Sequence, residues 1–272
     1  MGRPPGALPR ILTCLAMLAV APAALAGPPF FTDDPEPLER GHFEAYLFGS
    51  ADRAAGGNAY TLPGFELNAG ATSDLMLHLI VPAALATPDR RYGLGDTEVG
   101  MKYRFLTEKG LRPEIGTFPE LEIPTGDAAR GLGNGRLRLR LPLWLQKTSG
   151  PWTTYGGAGY EINWAHGMRN SVFAGWLLQR QLGKRLSLGG EVFHQGAQAE
   201  GARHTTFANG GGAFTLRGGL SLLFMAGHTV SGESHSVGYL ALYYTWGTRR
   251  LARWEPCSIP GMCAVSEHRP SR

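Results

Sequence analysis

Hydrophobic and polar residues alternate along most of the chain between residues 42 and 246. In the clearest run, residues 136–147, leucines at every second position share one face of an extended strand, while Arg136, Arg138 and Arg140 share the other. Successive side chains of a β-strand point to opposite sides, so this run predicts a strand with one apolar face and one charged face. The two preceding runs, residues 96–106 and 113–123, show the same contrast.

The whole pattern predicts twelve strands, separated by clusters of Gly, Pro, Asn and Asp. Their lengths lie near the roughly 9 to 11 residues that a tilted strand needs to cross a membrane. Longer connections, at residues 51–57, 84–95, 124–135, 164–170, 196–204 and 229–235, alternate with mostly tight turns. An even number of strands with long and short ends in alternation predicts an all-β, antiparallel, up-and-down transmembrane barrel in the outer membrane. The predicted strands are 42–50, 58–69, 74–83, 96–106, 113–123, 136–147, 152–163, 171–181, 185–195, 205–216, 219–228 and 236–246.

A soluble periplasmic β-sandwich is the alternative fold, because it also alternates apolar and polar positions. The two folds differ in where aromatic residues lie, since membrane barrels carry aromatic girdles at the ends of their strands. Trp152 opens one predicted strand, Trp164 follows its end, and Tyr244 and Trp246 close the last one. This distribution favours the barrel.

The N-terminus has the features of a secretory signal peptide. Arg3 and Arg10 precede a short apolar run, and residues 24–26, Ala-Leu-Ala, match a signal-peptidase site. We therefore expect residues 1–26 to be removed after Ala26 and the mature chain to be exported to the cell outer membrane. Residues 27–41 contain four prolines and are a poor strand. We hypothesise that they form a plug, in which Asp33 or Asp34 reaches a cation in the lumen; a frayed terminus is the alternative.

The last residues, 247–272, follow the final predicted strand and show no alternation. This segment is basic, and an even number of strands predicts that it leaves the barrel into the periplasm. In that oxidising compartment Cys257 and Cys263 could form a disulfide that closes a small loop.

Composition and charge exclude several other classes of protein. The chain is 43% hydrophobic, and its formal charge of +4 includes Arg3 and Arg10 of the predicted leader. Such a balanced mature chain lacks the basic face of a nucleic-acid-binding protein. It contains no HExxH, Walker A or GxSxG motif. We therefore expect no enzyme activity, no cofactor and no metal site, and we expect His78 to be an ordinary lumen residue, without carboxylate neighbours.

Charged residues on the polar face of the strands are the main candidates for contact with a solute. Because the predicted strands 96–106, 113–123 and 136–147 are antiparallel neighbours, opposite charges should face each other at both ends of the middle strand. Glu114 should lie level with Lys102 and Arg104, and Glu120 and Glu122 should lie level with Arg136 and Arg138. They could form a selectivity ladder in a pore or a salt-bridged interior that fills a narrow barrel. The candidates are Glu44, Glu98, Lys102, Arg104, Glu114, Glu120, Glu122, Arg136, Arg138, Arg140, Glu161 and Glu191.

Five segments resemble a known bacterial family of outer-membrane proteins of the meta-pathway of phenol degradation, often called transporters. They are PFFTDDPEP (29–37), LHLIVP (77–82), YGLGDTEVGMKYRF (92–105), EIPTGDAARGLGNG (122–135) and WTTYGGAGYEIN (152–163). The resemblance implies an outer-membrane barrel that passes small hydrophobic or aromatic compounds, although the chain departs from the family after Trp246.

We therefore expect a passive channel for a small solute, with outer-membrane lipid and the barrel-assembly machinery as partners. A structural or lipid-organising barrel without transport is the second hypothesis, and a soluble periplasmic binding protein is the third.

Overall fold

The computed structural model describes residues 29–87 and 90–247 of the chain. Within these ranges the chain forms fourteen β-strands and one short 3-10 helix, Ala128–Arg130. The predicted signal peptide and the tail with Cys257 and Cys263 lie outside the described residues. The strands are β1 (His42–Ala54), β2 (Gly57–Gly70), β3 (Leu75–Ala86), β4 (Arg91–Leu94), β5 (Thr97–Leu106), β6 (Glu114–Thr117), β7 (Glu120–Ile123), β8 (Arg138–Ser149), β9 (Trp152–Asn163), β10 (Ser171–Leu182), β11 (Leu186–Gln195), β12 (Thr205–Arg217), β13 (Leu220–Gly232) and β14 (His235–Gly247).

These strands close into a single antiparallel barrel. Most strands pair with the strands that precede and follow them in sequence. The barrel is closed by β1 and β14, which pair from His42 opposite Gly247 to Ala54 opposite His235. Strands β4 and β5 both pair with β3 and occupy one position in the wall. Strands β6 and β7 likewise lie between β5 and β8 and share one position. The wall therefore has twelve strand positions, and the predicted all-β, twelve-stranded barrel is confirmed.

The outer face of the barrel is a band of exposed apolar side chains. Leu141 and Leu143 on β8, for example, are 41% and 48% exposed, while their neighbours Arg138 and Arg140 are buried in the interior. A soluble sandwich would bury such residues, so the third hypothesis is wrong. Closure of the barrel also leaves no unpaired sheet edge, as lipid requires. Other residues of the band are Leu47, Phe65, Leu77, Met101, Val172, Trp176, Val192, Leu240 and Leu242. Among the described residues, no helix has the length and apolar character needed to cross a membrane.

Several connections differ from the predicted ones. The predicted strand 113–123 is broken between Thr117 and Glu120, where Pro119 has no backbone N–H to donate to the ladder. The predicted long connection 84–95 contains β4. The predicted long connection 51–57 is a tight hairpin, because the ladder of β1 with β2 continues to Ala54 opposite Gly57. In the predicted connection 229–235, β13 continues to Gly232 by pairing with β12, whereas its ladder with β14 ends at His228 opposite Ser236.

At the end of the barrel with the long loops, two of the segments that carry the family resemblance fold against each other. Asp96, between β4 and β5, accepts a hydrogen bond from the backbone N–H of Gly126 at 2.9 Å and a short one from that of Asn134. The Thr97 backbone N–H donates to Thr125 Oγ1 at 2.9 Å. The loop 124–137 is therefore fixed by contacts with the YGLGD segment and the residue that follows it.

Candidate functional site in the barrel lumen

The interior wall has two sectors of different character. Strands β10–β14 contribute mainly apolar and aromatic side chains, whereas β2–β9 contribute most of the buried charges. In the apolar sector the buried apolar and aromatic side chains are Phe173, Leu177, Phe193, Phe207, Leu223, Met225, Tyr239, Ala241 and Tyr243. In the polar sector they include Glu66, Asn68, His78, Glu98, Lys102, Glu114, Glu120, Glu122, Arg138, Arg140 and Glu161.

Ion pairs across β7, β8 and β9 form one row of the polar sector. Arg138 makes a short contact with Glu122. Arg140 Nη1 lies 3.6 Å from Glu120 Oε2, and Arg140 Nε lies 3.7 Å from Glu161 Oε2. Arg140 also stacks over the ring of Phe173, 4.3 Å from its centroid. Opposite charges therefore do face each other across neighbouring strands, and they neutralise one another within the wall.

The register of these pairs differs from the predicted one by two residues. We expected Glu120 and Glu122 to lie level with Arg136 and Arg138, but they lie opposite Arg140 and Arg138. Arg136 precedes β8 and is exposed in the loop. The shift arises because the loop 124–137, held by Asp96, continues two residues further than the alternation suggested.

A second group of pairs lies at the turn end of the barrel. Arg104 Nη1 is 3.5 Å from Glu114 Oε1. Arg104 also donates from Nε and Nη2 to Asp74, at 3.1 Å each. The pKa of Asp74, in the exposed turn between β2 and β3, is lowered by hydrogen bonds from Ser73 and Arg104.

Three further predicted lumen carboxylates contact hydroxyl, imidazole and amide groups. Glu44 accepts hydrogen bonds from the hydroxyls of Tyr46, at 3.0 Å, and Tyr243, at 2.5 Å. Glu98 lies 3.1 Å from a ring nitrogen of His78. Glu191 is the one buried carboxylate of the apolar sector and accepts from Asn209 Nδ2 at 2.6 Å.

Residues 29–37 occupy the lumen between the two sectors. Phe30 is fully buried and Phe31 is 6% exposed, and both belong to the apolar interior cluster. The Phe31 ring lies 5.3 Å from that of Phe193 and 5.1 Å from that of Phe207, centroid to centroid. The aromatic end of the segment is thus packed against the apolar sector, close to the loop end of β11 and β12.

Polar groups of the same segment bind both sectors. Lys102 Nζ lies 2.9 Å from Asp33 Oδ1 and 3.3 Å from Asp34 Oδ1. The backbone N–H groups of Phe31 and Thr32 donate to the Glu191 carboxylate, at 3.3 and 2.5 Å. Charge-assisted hydrogen bonds of this kind are about twice as strong as neutral ones. The segment is therefore held at both sides of the lumen.

Sequence reasoning missed a buried network around His78. Asn68 Nδ2 donates to Glu66 Oε1 at 2.9 Å, and Asn68 Oδ1 lies 2.7 Å from His78 Nδ1. The expectation that His78 has no carboxylate neighbours is wrong, since Glu66 and Glu98 lie 3.7 and 3.1 Å from its ring nitrogens. These carboxylates come from the adjacent strands β2 and β5. Their parity was visible in the alternation, but the register that aligns them with His78 was not.

A closed twelve-stranded antiparallel barrel with an apolar outer band and a charged interior defines an outer-membrane β-barrel protein. The family model described as "Putative MetA-pathway of phenol degradation" matches residues 51–245, and the chain belongs to this family. No curated protein sequence is significantly similar to the chain.

Comparison with a solved structure supports the fold. The barrel is similar to the crystal structure of an outer membrane channel from Pseudomonas putida F1, with a TM-score of 0.61 and 17% identity over 78% of this chain and 98% of that one. Weaker similarities include the translocator domain of the autotransporter NalP from Neisseria meningitidis (TM-score 0.45, 11% identity, 76% and 89% coverage). They also include the CymD monoaromatic hydrocarbon channel (0.44, 8%, 78% and 89%).

Proposed function

We propose that this protein is a passive outer-membrane channel for a small aromatic or hydrophobic solute, and that residues 29–37 are a plug that occupies its lumen. The observation that carries the proposal is the packing of Phe31 between Phe193 and Phe207. An interior wall that binds the phenyl ring of its own chain has the shape and polarity to bind a free aromatic molecule.

The two-sector wall supports this class of solute. A hydrophobic compound crosses a purely charged lumen poorly, because such a lumen has no apolar surface that would shield the compound from water. Here strands β10–β14 contribute a cluster of buried aromatic and aliphatic side chains to the interior. The ion pairs of the opposite sector neutralise each other, so the lumen has no strong preference for one sign of charge. The description of the family, which names phenol degradation, agrees with an aromatic solute.

The plug is built from contacts that can be exchanged for water or solute. Its apolar anchors are Phe30 and Phe31, and its polar anchors are the Asp33 carboxylate and two backbone N–H groups. A solute that enters the apolar sector would compete directly with the two rings. Passage would then require partial withdrawal of the segment towards the turn end, where it joins β1 at His42.

A structural or lipid-organising barrel without transport is the second candidate. The filled lumen favours it, since Trp144 and Phe30 are fully buried in the interior. In this case the segment would be a permanent part of the core and would contribute to stability alone.

Liposome swelling distinguishes the two candidates. The full mature chain would be reconstituted beside a variant that lacks residues 30–37 and beside Phe31→Ala, with Phe65→Ala on the lipid face as the matched control. We expect phenol-sized aromatic solutes to enter faster than sugars of similar mass, and both plug variants to increase the rate. The control should behave as the wild type. If no solute enters through the deletion variant while it migrates as a folded, heat-modifiable barrel, the channel proposal is wrong and the structural barrel is supported.

A further inference from the structure

A histidine and two glutamates converge in the lumen wall across three adjacent strand positions. His78 on β3 is paired with Gly100 on β5, and Gly100 is paired with Glu120 on β7. Gly100 faces the lumen, and a Cβ atom there would approach Phe118 and Glu120. The missing side chain leaves room for His78 and Glu120 to reach each other from either side. Glu98, two residues from Gly100 on the same face, completes the group.

The hydrogen bonds around His78 impose a chemical requirement on its ring. Asn68 donates through Nδ2 to Glu66 at 2.9 Å and to Glu44 at 3.3 Å, which fixes its Oδ1 towards His78 Nδ1. His78 Nδ1 therefore carries a proton. The other ring nitrogen, Nε2, lies 3.1 Å from the carboxylate oxygen Oε1 of Glu98. A contact of this length needs a positive charge between the two atoms, which either a second ring proton or a metal ion supplies.

The buried carboxylate of Glu120 is a second, independent observation that points to a bound cation. The residue is 3% exposed, and its Oε1 is buried without a hydrogen-bond partner in the part of the chain that the structure describes. A buried carboxylate oxygen without a donor is costly. Its other oxygen lies 3.6 Å from Arg140 Nη1. The ligand atoms of His78, Glu98 and Glu120 all lie within 4.8 Å of one another.

We propose that His78 Nε2, Glu98 and Glu120 form a binding site for one divalent transition-metal ion, with Zn²⁺ as the best fit, in the polar sector of the lumen. One imidazole and two carboxylates suit Zn²⁺ better than Mg²⁺ or Ca²⁺, which prefer all-oxygen sites. Three protein ligands leave a fourth position for water or solute. The hydrogen bond from His78 Nδ1 to Asn68 is of the kind that orients the rings of metal-binding histidines.

The distances fit such an ion. Bonds of about 2.0–2.1 Å in a tetrahedral site put neighbouring ligand atoms roughly 3.3 Å apart, close to the 3.1 Å between His78 Nε2 and Glu98 Oε1. The ligand atoms lie within 4.8 Å of one another, and rotation of the flexible Glu120 side chain can bring its carboxylate closer to the other two. Glu66, 3.7 Å from His78 Nδ1, is a further carboxylate beside the site.

The site would link three strand positions of the wall beside the plug. Phe118, at the break between β6 and β7, packs edge-on against the His78 ring at 5.1 Å and lies under Lys102 Nζ at 5.2 Å. Lys102 in turn binds Asp33 of the plug. A metal ion at His78 would therefore stiffen the part of the wall that holds the polar end of residues 29–37.

Isothermal titration of Zn²⁺ into the full mature chain in detergent, after treatment with EDTA, tests the proposal. Glu120→Gln and His78→Gln each remove one ligand with little change in volume, and Asn68→Ala removes the hydrogen bond that orients the His78 ring. His194→Gln, whose ring binds Thr206 on another part of the wall, is the matched control. Folding of every variant is checked by heat-modifiable migration.

We expect one Zn²⁺ per chain in the wild type and in His194→Gln. Asn68→Ala should weaken binding by roughly 10- to 100-fold, and the two ligand variants should weaken it by more. Titration with Ca²⁺ should give much weaker binding. Zn²⁺ held elsewhere, for example by the thiols of Cys257 and Cys263, would survive both ligand substitutions and would overturn the proposal. Absence of stoichiometric binding to the folded wild type would overturn it equally and would leave His78 as a doubly protonated ring.

Discussion

Gly175 on β10 and Thr32 of the lumen segment are packed so closely that a Cβ atom on Gly175 would overlap the Thr32 hydroxyl and crowd the ring of Phe193. The glycine is therefore part of the wall surface against which residues 29–37 pack. Its backbone needs no special conformation, so the absence of a side chain serves close packing alone.

Gly175→Ala should loosen the segment without damage to the barrel. Overpacking of this kind costs about 1–3 kcal/mol. Because it destabilises the position of residues 29–37 in the lumen, the fraction of time that the channel is open should rise by roughly 5-fold or more. Gly210→Ala is the control, because nothing lies within 4 Å of a Cβ atom at that position. Single-channel recordings in planar bilayers measure the effect. Equal open fractions for the two variants would show that residues 29–37 do not limit conduction.

Glu191→Gln should also release the segment, through loss of charge. The carboxylate accepts the backbone N–H groups of Phe31 and Thr32 and the amide of Asn209. Replacing a charged acceptor by a neutral one weakens such contacts by about 1–2 kcal/mol. Glu39→Gln, an exposed residue next to the same segment, is the control. We expect faster swelling with aromatic solutes for Glu191→Gln alone; if swelling is unchanged, these hydrogen bonds do not hold the plug.

The alternation of residue types was sufficient to predict the barrel, because the two faces of a membrane strand meet opposite solvents. Leu141 and Arg140 on β8 are assigned to opposite faces by this contrast alone, and the structure agrees. The break at Pro119 and the end of the loop 124–137 were not visible in the alternation. The end of this loop depends on contacts of Asp96 with Gly126 and Asn134, which are distant in sequence.

The lumen charges were predictable as a set but not as pairs. Parity places Glu98, Lys102 and Glu120 inside, yet their partners depend on register. Lys102 pairs with Asp33, 69 residues away. The apolar sector was harder to see, since inward-facing residues such as Phe193 and Phe207 break the expected rule of polar residues inside. Only the closed structure shows that their inward faces form one continuous surface.

The depth of a lipid-facing residue should determine what a charge costs there. Leu143→Arg, near the middle of β8, should lower the free energy of unfolding by about 2–4 kcal/mol, because the bilayer midplane excludes the charge. Leu137→Arg, one residue before β8 and 41% exposed against 48% for Leu143, should cost roughly 0–1 kcal/mol near the interface. Urea unfolding of the refolded variants in lipid vesicles measures both. Similar losses at the two positions would contradict the assigned membrane band.

Removal of the tail after Gly247 should leave the barrel intact. The last described strand, β14, pairs with β1 along its whole length, and Trp246 stacks on Phe43 and on Tyr244 at the turn end. The backbone ladder and the aromatic girdle are thus complete at Gly247. We propose that this strand supplies the signal for the assembly machinery and that residues 248–272 are dispensable for folding. A chain that ends at Gly247 should appear in the outer-membrane fraction as a heat-modifiable band, at a level similar to the full chain.

Trp246→Ala in the same shortened chain should reduce that level, because it removes the aromatic end of the final strand. Accumulation of the shortened chain as a periplasmic aggregate would instead show that the tail belongs to the folding unit.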